Sequence, residues 1–283
     1  MKSLTALKKK TLNTALLILA WIPVVITLTV LLFVLGASFM EASEASGVWD
    51  DGLSAFHILP RYFSTQSWKQ VLYNTPEYLL HFWNSVWITL PTVAGSVTAS
   101  VLTGYGLAFL RFRGKKILIL GLILLMLLPY QVTLTPNFLV LDLLGLLNSR
   151  WAAILPGIFH PLGMVAMAYF MLAVPQETLE AAQVDGAGQL RCFFYIALPQ
   201  VKGGIAILAL YNFLDAWNVV EPIVALLQDT ALHPLSVALS GFSAAYPGIS
   251  AACSVLFVVP ALLLFGMTRE QLIDGLHIRK KEL

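Results

Sequence analysis

The sequence predicts an all-α integral membrane protein with six transmembrane helices. Only 11% of its 283 residues are charged, whereas soluble domains carry about 25%. The mean hydropathy is +0.81, and the apolar residues are gathered in runs of about 20, the length that crosses a bilayer as a helix. The chain has too few charges to cover a core in water, so lipid is the expected solvent.

Six apolar segments are long enough to be these helices, and Pro23 is a tolerated kink in the first. The predicted spans are residues 12–40, 82–110, 117–135, 152–173, 204–227 and 249–267. A short tail at residues 1–11 precedes the first span, and a polar loop at 41–81 follows it. The other five spans form a core at residues 82–268, which contains a polar loop at 174–203, and residues 269–283 form a C-terminal tail.

The lysine and arginine residues divide unequally between the two sides of this arrangement. Fourteen of the seventeen lie in the two tails, in the turn after the second span and in the loop at 174–203. The other side has only Arg61, Lys69 and Arg150. Because cytoplasmic loops carry the excess of these residues, both termini and the loop at 174–203 are predicted to be cytoplasmic, and the loop at 41–81 is predicted to be extracellular.

Several kinds of function lack their usual sequence signals. The formal net charge is only +2, so no basic surface for nucleic acid is indicated. The sequence contains no Gly-x-x-x-x-Gly-Lys-Ser/Thr loop for ATP phosphates. Its two cysteines and five histidines have no metal-ligand spacing. One of these histidines, His160, is expected to serve packing or hydrogen bonding.

Small residues recur at fourfold spacing along the second span. Gly95, Ala99 and Thr103 form one line. Ser96, Ser100 and Gly104 form the next line. Because small residues allow helix backbones to approach closely in a membrane, this face is predicted to make a close helix contact.

A polar stretch at residues 180–199 interrupts the second half of the chain. It begins with Glu180, Ala181 and Ala182, which favour a helix. Gly186 follows, and glycine readily adopts the left-handed conformation that ends a helix. An apolar run then leads to Pro199. The pattern predicts a short helix, a sharp break and a second segment that re-enters apolar surroundings.

The same stretch resembles the coupling loop of bacterial ABC importer permeases. The pattern is Glu-Ala-Ala, three residues, Gly, nine residues and Ile-x-Leu-Pro, and its positions are filled by Glu180, Ala181, Ala182, Gly186, Ile196, Leu198 and Pro199. Asp185 before the glycine is similar to the version in carbohydrate importers, of the type of the smaller maltose permease subunit. Residues 180–199 are therefore named the coupling segment.

The resemblance implies an ABC type I importer permease in a bacterial cell membrane. The implied partners are a second permease subunit in a heterodimer, a cytoplasmic ATPase dimer, an extracellular solute-binding protein and membrane lipid. ATP and magnesium would bind the ATPase, which leaves this chain with no cofactor and no catalytic residue. The implied role of the coupling segment is to transmit ATPase closure to the translocation path.

The fifth span carries polar residues that are rare in a membrane: Asn212, Asp215, Asn218 and Glu221. At a spacing of three they occupy one half of a helix, and buried acids usually face a bundle interior or an aqueous path. They are predicted to line the path of a sugar, with Glu221 at its outer mouth. Trp217 is predicted either to stack on the sugar or to anchor a helix contact.

Other interpretations stay open at this level. Asp215 also suits a structural pair with another helix. A secondary transporter or channel would use the acidic residues of the fifth span as proton or cation sites without an ATPase. A membrane enzyme would need a reactive constellation that the sequence does not suggest.

Overall fold

The computed structural model describes residues 2–50, 57–74, 76–239 and 247–277. Within these ranges the chain is mainly helical and forms no strand beyond an isolated bridge between Met40 and Phe63. The α-helices are α1 (Lys2–Ala37), α2 (Ala42–Asp50), α3 (Gln66–Lys69), α4 (Pro76–Phe109), α5 (Lys115–Leu127), α6 (Tyr130–Leu143), α7 (Arg150–Ile158), α8 (Pro161–Leu172), α9 (Gln176–Val184), α10 (Gln189–Cys192), α11 (Leu198–Gln200), α12 (Lys202–Trp217), α13 (Glu221–Leu226), α14 (Leu235–Ala238) and α15 (Pro247–His277). The predicted all-α fold class is therefore confirmed.

The described helices supply between four and six candidate membrane spans, which makes the chain a multi-pass membrane protein. Four are long apolar stretches: Leu19–Ala37, Glu77–Phe109, Arg150–Leu172 and Pro247–Gln271. Two more arise if each of two bent pairs counts as one span, namely Lys115–Leu127 with Tyr130–Leu143, and Gln189–Gln200 with Lys202–Trp217.

The prediction of one helix over residues 117–135 is wrong. Helix α5 ends at Leu127, and α6 leaves it at an angle of 105°. Pro129 at the start of α6 causes the break, because its ring fixes φ and it has no N–H to continue the helix. Leu128 before it is extended, with ψ 130°, as expected for a residue that precedes proline.

The predicted span over residues 152–173 agrees with the candidate span Arg150–Leu172, although its helix is interrupted. Its two parts are α7 and α8, which begins at Pro161. Phe159 and His160 between them adopt non-helical backbone conformations. Proline at the first position of a helix needs no intrahelical N–H partner, so it starts α8 without cost.

The last helix is longer than predicted. Residues 249–267 were expected to span the membrane, but α15 runs from Pro247 to His277. The first part of the predicted tail, including Arg269 and Glu270, is therefore helical.

The chain divides into two compact units. The first comprises residues 1–78 and 239–258. Within it, Glu44 of α2 holds the following loop: its carboxylate accepts the backbone N–H of Arg61 at 2.7 Å and of Tyr62 at 3.1 Å, and it lies 2.6 Å from His57 Nε2. Burial raises the pKa of Glu44, but these hydrogen bonds outweigh it and hold the pKa below its ordinary value.

The second unit comprises residues 79–238 and 259–283. The small residues of α4 make the predicted close contacts here. A Cβ at Gly104 would lie 2.8 Å from the backbone carbon of Met167 in α8. A Cβ at Gly95 would lie 2.7 Å from the side chain of Ile158 in α7. Real Cβ atoms do not approach that closely, so α4 packs on α7 and α8 at distances that only glycine permits at these positions.

Candidate functional site

A cavity of about 620 Å³ lies within the second unit. Its wall combines α4, the start of α6, α7 and the junctions that precede α8 and α13. Four residues of the predicted sugar path line it: Asn212, Asp215, Asn218 and Glu221. Helix α12 and the segment that follows it bring these four residues to one space.

Trp217 does not line the cavity, so its predicted stacking on a sugar is not supported. Its side chain is only 2% exposed. It stacks on Phe213, with ring centroids 5.4 Å apart, and meets the edge of Phe82 at 5.9 Å. The alternative role, an anchor of a helix contact, agrees with this geometry.

The prediction of a continuous fifth span over residues 204–227 is also wrong. Helix α12 ends at Trp217, and α13 begins only at Glu221. Pro222 lies in the first turn of α13, where its missing N–H costs nothing. The break removes Asn218 and Glu221 from the helical spacing of α12, and the apolar Leu214 within α12 lines the cavity as well.

Asn212 lies at the buried end of a short chain of hydrogen bonds. Its Nδ2 donates to Ser96 Oγ at 2.8 Å, and Ser96 Oγ donates to the carbonyl of Val93 at 3.1 Å. Since the single hydroxyl proton of Ser96 is used on Val93, Ser96 must accept from Asn212. The Asn212 residue is 3% exposed, and its Oδ1 has no donor among the described residues.

Two further cavity residues are oriented by the protein. Asn218 Nδ2 donates to the carbonyl of Leu214 at 2.7 Å, which closes the end of α12. A carbonyl needs a donor, so the amide nitrogen of Asn218 is the group that faces Leu214. Glu221 accepts a hydrogen bond from Gln131 Nε2 at 2.8 Å, which ties the start of α13 to α6.

His160 borders the same cavity. Its Nδ1 accepts the backbone N–H of Gly163 at 3.0 Å and caps α8, which confirms the expected hydrogen-bonding role. In the neutral ring the proton is therefore on Nε2.

Four residues line the cavity that were not predicted from the sequence to do so: His160, Thr92, Ser96 and Tyr130. Only the small-residue line through Ser96 carried a signal, and it predicted packing rather than a cavity.

The coupling segment has the predicted shape. Helix α9 ends in a Schellman motif, in which the N–H of Gly186 bonds to Gln183 and the N–H of Ala187 bonds to Ala182. Gly186 has φ +86°, the left-handed conformation expected of it. The second arm is helical from Gln189 to Gln200 and includes a π-helical turn at Phe193–Ala197.

The residues of the family pattern divide between two surfaces. Ala182, Ile196 and Leu198 are half-buried and pack on a core around Cys192 and Phe193. The exposed members of the pattern are Glu180, Ala181, Asp185, Gly186 and Pro199. Large apolar side chains beside them are also exposed: Val184 is 88%, Tyr195 80% and Leu190 74% accessible. An exposed apolar surface of this kind typically marks a protein interaction site.

The inner surface of the coupling segment rests on α4. The ring of Tyr105 meets Phe193 edge-on, with centroids 5.0 Å apart. Its hydroxyl lies 3.1 Å from Gln189 Oε1 and donates to it. Helix α4 therefore carries both the support of the coupling segment and, at Thr92 and Ser96, part of the cavity wall.

No group of three or more His, Cys, Asp or Glu side chains in the described ranges is placed to hold a metal ion.

Comparisons with known proteins give consistent results. Residues 74–270 match the family described as "Binding-protein-dependent transport system inner membrane component". The arabinooligosaccharides transport system permease protein AraQ of Halalkalibacterium halodurans is 30% identical over 204 residues, which are 71% of this chain and 73% of that protein. The galactooligosaccharides transport system permease protein GanQ of Bacillus subtilis is 28% identical over 268 residues, 92% of each chain.

A solved structure shares the fold. It is a bacterial ABC transporter involved in the import of the acidic polysaccharide alginate. The superposition has a TM-score of 0.80 and covers 93% of this chain and 97% of that one, at 18% sequence identity. The likeness extends over nearly the whole length of both chains.

Proposed function

Because the chain belongs to the family of inner membrane components of binding-protein-dependent transport systems, we propose that its cavity carries saccharides and that its coupling segment docks a cytoplasmic ATPase. It is a permease subunit of an ABC importer. This membership agrees with the resemblance in the coupling segment, and it does not favour a secondary transporter or channel without an ATPase. As a family of transport components, it also does not favour a membrane enzyme.

The cavity supports a saccharide as the transported molecule. Relatives are named for the transport of arabinooligosaccharides and galactooligosaccharides. Sugar hydroxyls need hydrogen-bond partners, and Asp215 and Asn218 offer them along one wall. A neutral hydrogen bond contributes roughly 0.5–1.5 kcal/mol net. That is enough to replace the hydration of a hydroxyl and weak enough to release the sugar.

One observation carries the proposed coupling: α4 is continuous between the coupling segment and the cavity. Tyr105 contacts Gln189 and Phe193 at one level of this helix. Ser96 lines the cavity nine residues earlier, roughly 13 Å along the axis at 1.5 Å per residue. A displacement of the coupling segment would therefore reach the cavity wall through a rigid element. ATP and magnesium would act in the partner ATPase, and this chain would contribute no catalytic residue.

The full assembly would contain this chain, a second permease subunit, an ATPase dimer and an extracellular solute-binding protein in a bacterial cell membrane. The proposed topology has six spans, the upper number that the described helices allow, and the fifth is formed by α12 and the residues after it. Both termini and the coupling segment would be cytoplasmic, following the excess of Lys and Arg on that side.

Labelling of single cysteines tests this topology. A cysteine at Ser46, in α2, is expected to react with a membrane-impermeant thiol reagent added to intact cells. A cysteine at Gln189, an exposed residue of the coupling segment, is expected to react only after the membrane is opened. The parent protein is the control, since Cys192 and Cys253 are buried. Reaction of both cysteines from outside would reject the six-span arrangement.

Co-expression with candidate partners tests the proposed function. The chain is expected to co-purify with an ATP-binding subunit, and the reconstituted complex is expected to hydrolyse ATP faster when sugar-loaded binding protein is added. Proteoliposomes should then accumulate the sugar only when the ATPase faces their lumen and ATP is enclosed there. Accumulation driven by an ion gradient without an ATP-binding subunit would refute the proposal.

A further inference from the structure

Most polar groups of the cavity are hydrogen-bond acceptors, and this property bears on the class of substrate. The protons of its hydroxyl residues on α4 are used inside the protein. Thr92 Oγ1 donates to the carbonyl of Ile88 at 2.7 Å, and Ser96 Oγ donates to the carbonyl of Val93 at 3.1 Å. Each hydroxyl therefore has only lone pairs left for a molecule in the cavity.

The amide of Asn218 presents its oxygen to the cavity for the same reason, whereas that of Asn212 is buried. Asn212 Nδ2 is directed to Ser96, and Asn218 Nδ2 is directed to the carbonyl of Leu214. The opposite end of each amide is its carbonyl oxygen. Asn212 Oδ1 is buried and has no donor among the described residues. Because this oxygen has less than 1 Å² of accessible surface, it adds to the negative potential of the wall and does not itself contact a ligand.

The charged groups of the wall have the same sign. Asp215 and Glu221 are carboxylates, and none of the described residues that line the cavity is Lys or Arg. Gln131 neutralises no charge when it donates to Glu221, because it is an amide. Among the described lining residues, the side-chain donor that remains is the Nε2–H of His160, because the hydroxyl oxygen of Tyr130 has no accessible surface.

We propose that this acceptor-rich, negatively charged wall makes the cavity selective for uncharged or amino-bearing saccharides and excludes saccharides that carry carboxylate groups. A hydroxyl or ammonium group donates to the oxygens of Asp215 and Asn218. A uronic acid brings a third negative charge to a wall whose described lining contains no Lys or Arg, and unpaired charge away from bulk water is strongly unfavourable. The inference rests on the proposed function, because it treats the cavity as the sugar path.

The deciding experiment measures the charge preference of the cavity without any sugar. The full chain is assembled with its partner subunits in nanodiscs, and Ala153, which lines the cavity, is replaced by cysteine. This cysteine is the reporter, and it is treated with either trimethylammonium-ethyl methanethiosulfonate or sulfonatoethyl methanethiosulfonate. These two reagents form the same kind of disulfide but carry opposite charges. The rate of each reaction is followed by the increase in the intact mass of this chain. The ratio of the two rates is then divided by the ratio that the same reagents give with 2-mercaptoethanol in the same buffer.

The normalised ratio is expected to favour the cationic reagent by about tenfold or more, since a cleft of one sign concentrates counter-ions to this extent. In the isosteric double variant Asp215→Asn, Glu221→Gln it is expected to fall towards one. Parent chain without the reporter controls for Cys192 and Cys253, which are buried. A ratio near one in the reporter protein, or a ratio that the double variant leaves unchanged, would overturn the inference.

Uptake measurements separate this inference from the proposed function. The proteoliposome assay is run with a neutral oligosaccharide that the system imports and with its uronic acid counterpart, each on a binding protein that holds it. Import of the uronate at the same rate as the neutral sugar would overturn the selectivity while the proposed function stands. A cationic preference of the reporter without uptake of any saccharide would reject the proposed function and the saccharide assignment together, leaving only the charge of the cavity established.

Discussion

Replacing Gly186 by valine is expected to reduce sugar uptake and stimulated ATP hydrolysis by at least about tenfold while the protein still reaches the membrane. Gly186 has φ +86°, and both hydrogen bonds of the Schellman motif depend on that conformation. A β-branched residue in this region costs about 1–3 kcal/mol. A Cβ at Gly186 would meet no atom of this chain within 4 Å, so the cost is backbone strain and not a clash within the protein.

Gly188 provides the matched control for this variant. It lies two residues later and a Cβ there also meets nothing within 4 Å. Its φ of −71° and ψ of 164° are ordinary for valine. Gly188→Val should therefore leave uptake close to that of the parent. Full uptake by a well-expressed Gly186→Val, or equal loss in both variants, would reject a specific role for the positive φ.

The second large effect is expected at the cavity wall. Asp215→Leu removes a carboxylate that lines the cavity and should lower uptake about tenfold, because hydrogen bonds to charged groups contribute roughly 1.5–3 kcal/mol each. Asn218→Leu should also lower uptake. Neither change should affect co-purification with the ATPase or basal ATP hydrolysis. The measurement is initial uptake into proteoliposomes at several sugar concentrations.

Val224→Leu is the control for these two variants. Val224 is 59% exposed and lies on α13 outside the cavity lining. Asn218→Leu also removes the hydrogen bond to Leu214 at the end of α12, so its thermal stability in detergent should be compared with that of Asp215→Leu. Normal uptake by both cavity variants would mean that the path follows another face and that these residues serve packing.

The coupling segment could be predicted closely because its signals are local. Glycine at position 186 is the residue that tolerates φ above zero, and helix-forming residues immediately before it define where α9 stops. The presence of several membrane-spanning apolar stretches was also readable, since each needs only enough length to cross the bilayer. The helix breaks were not predicted correctly, although Pro129, Pro161 and Pro222 stand at them. Proline is tolerated as a kink elsewhere in this chain, as at Pro23 inside α1.

The sequence by itself determined a helical, multi-pass membrane protein with a glycine-terminated coupling segment, because hydropathy and backbone preference act over neighbouring residues. Only the tertiary structure decided that Trp217 packs against Phe82 of α4 and that the amide of Asn212 is held by Ser96. These outcomes depend on partners far away in the chain. Asn212 is oriented by Ser96, 116 residues earlier, whose own proton is committed to Val93. No helical periodicity encodes a contact of that range, so the chemical character of the cavity emerges only when α4 and α12 pack together.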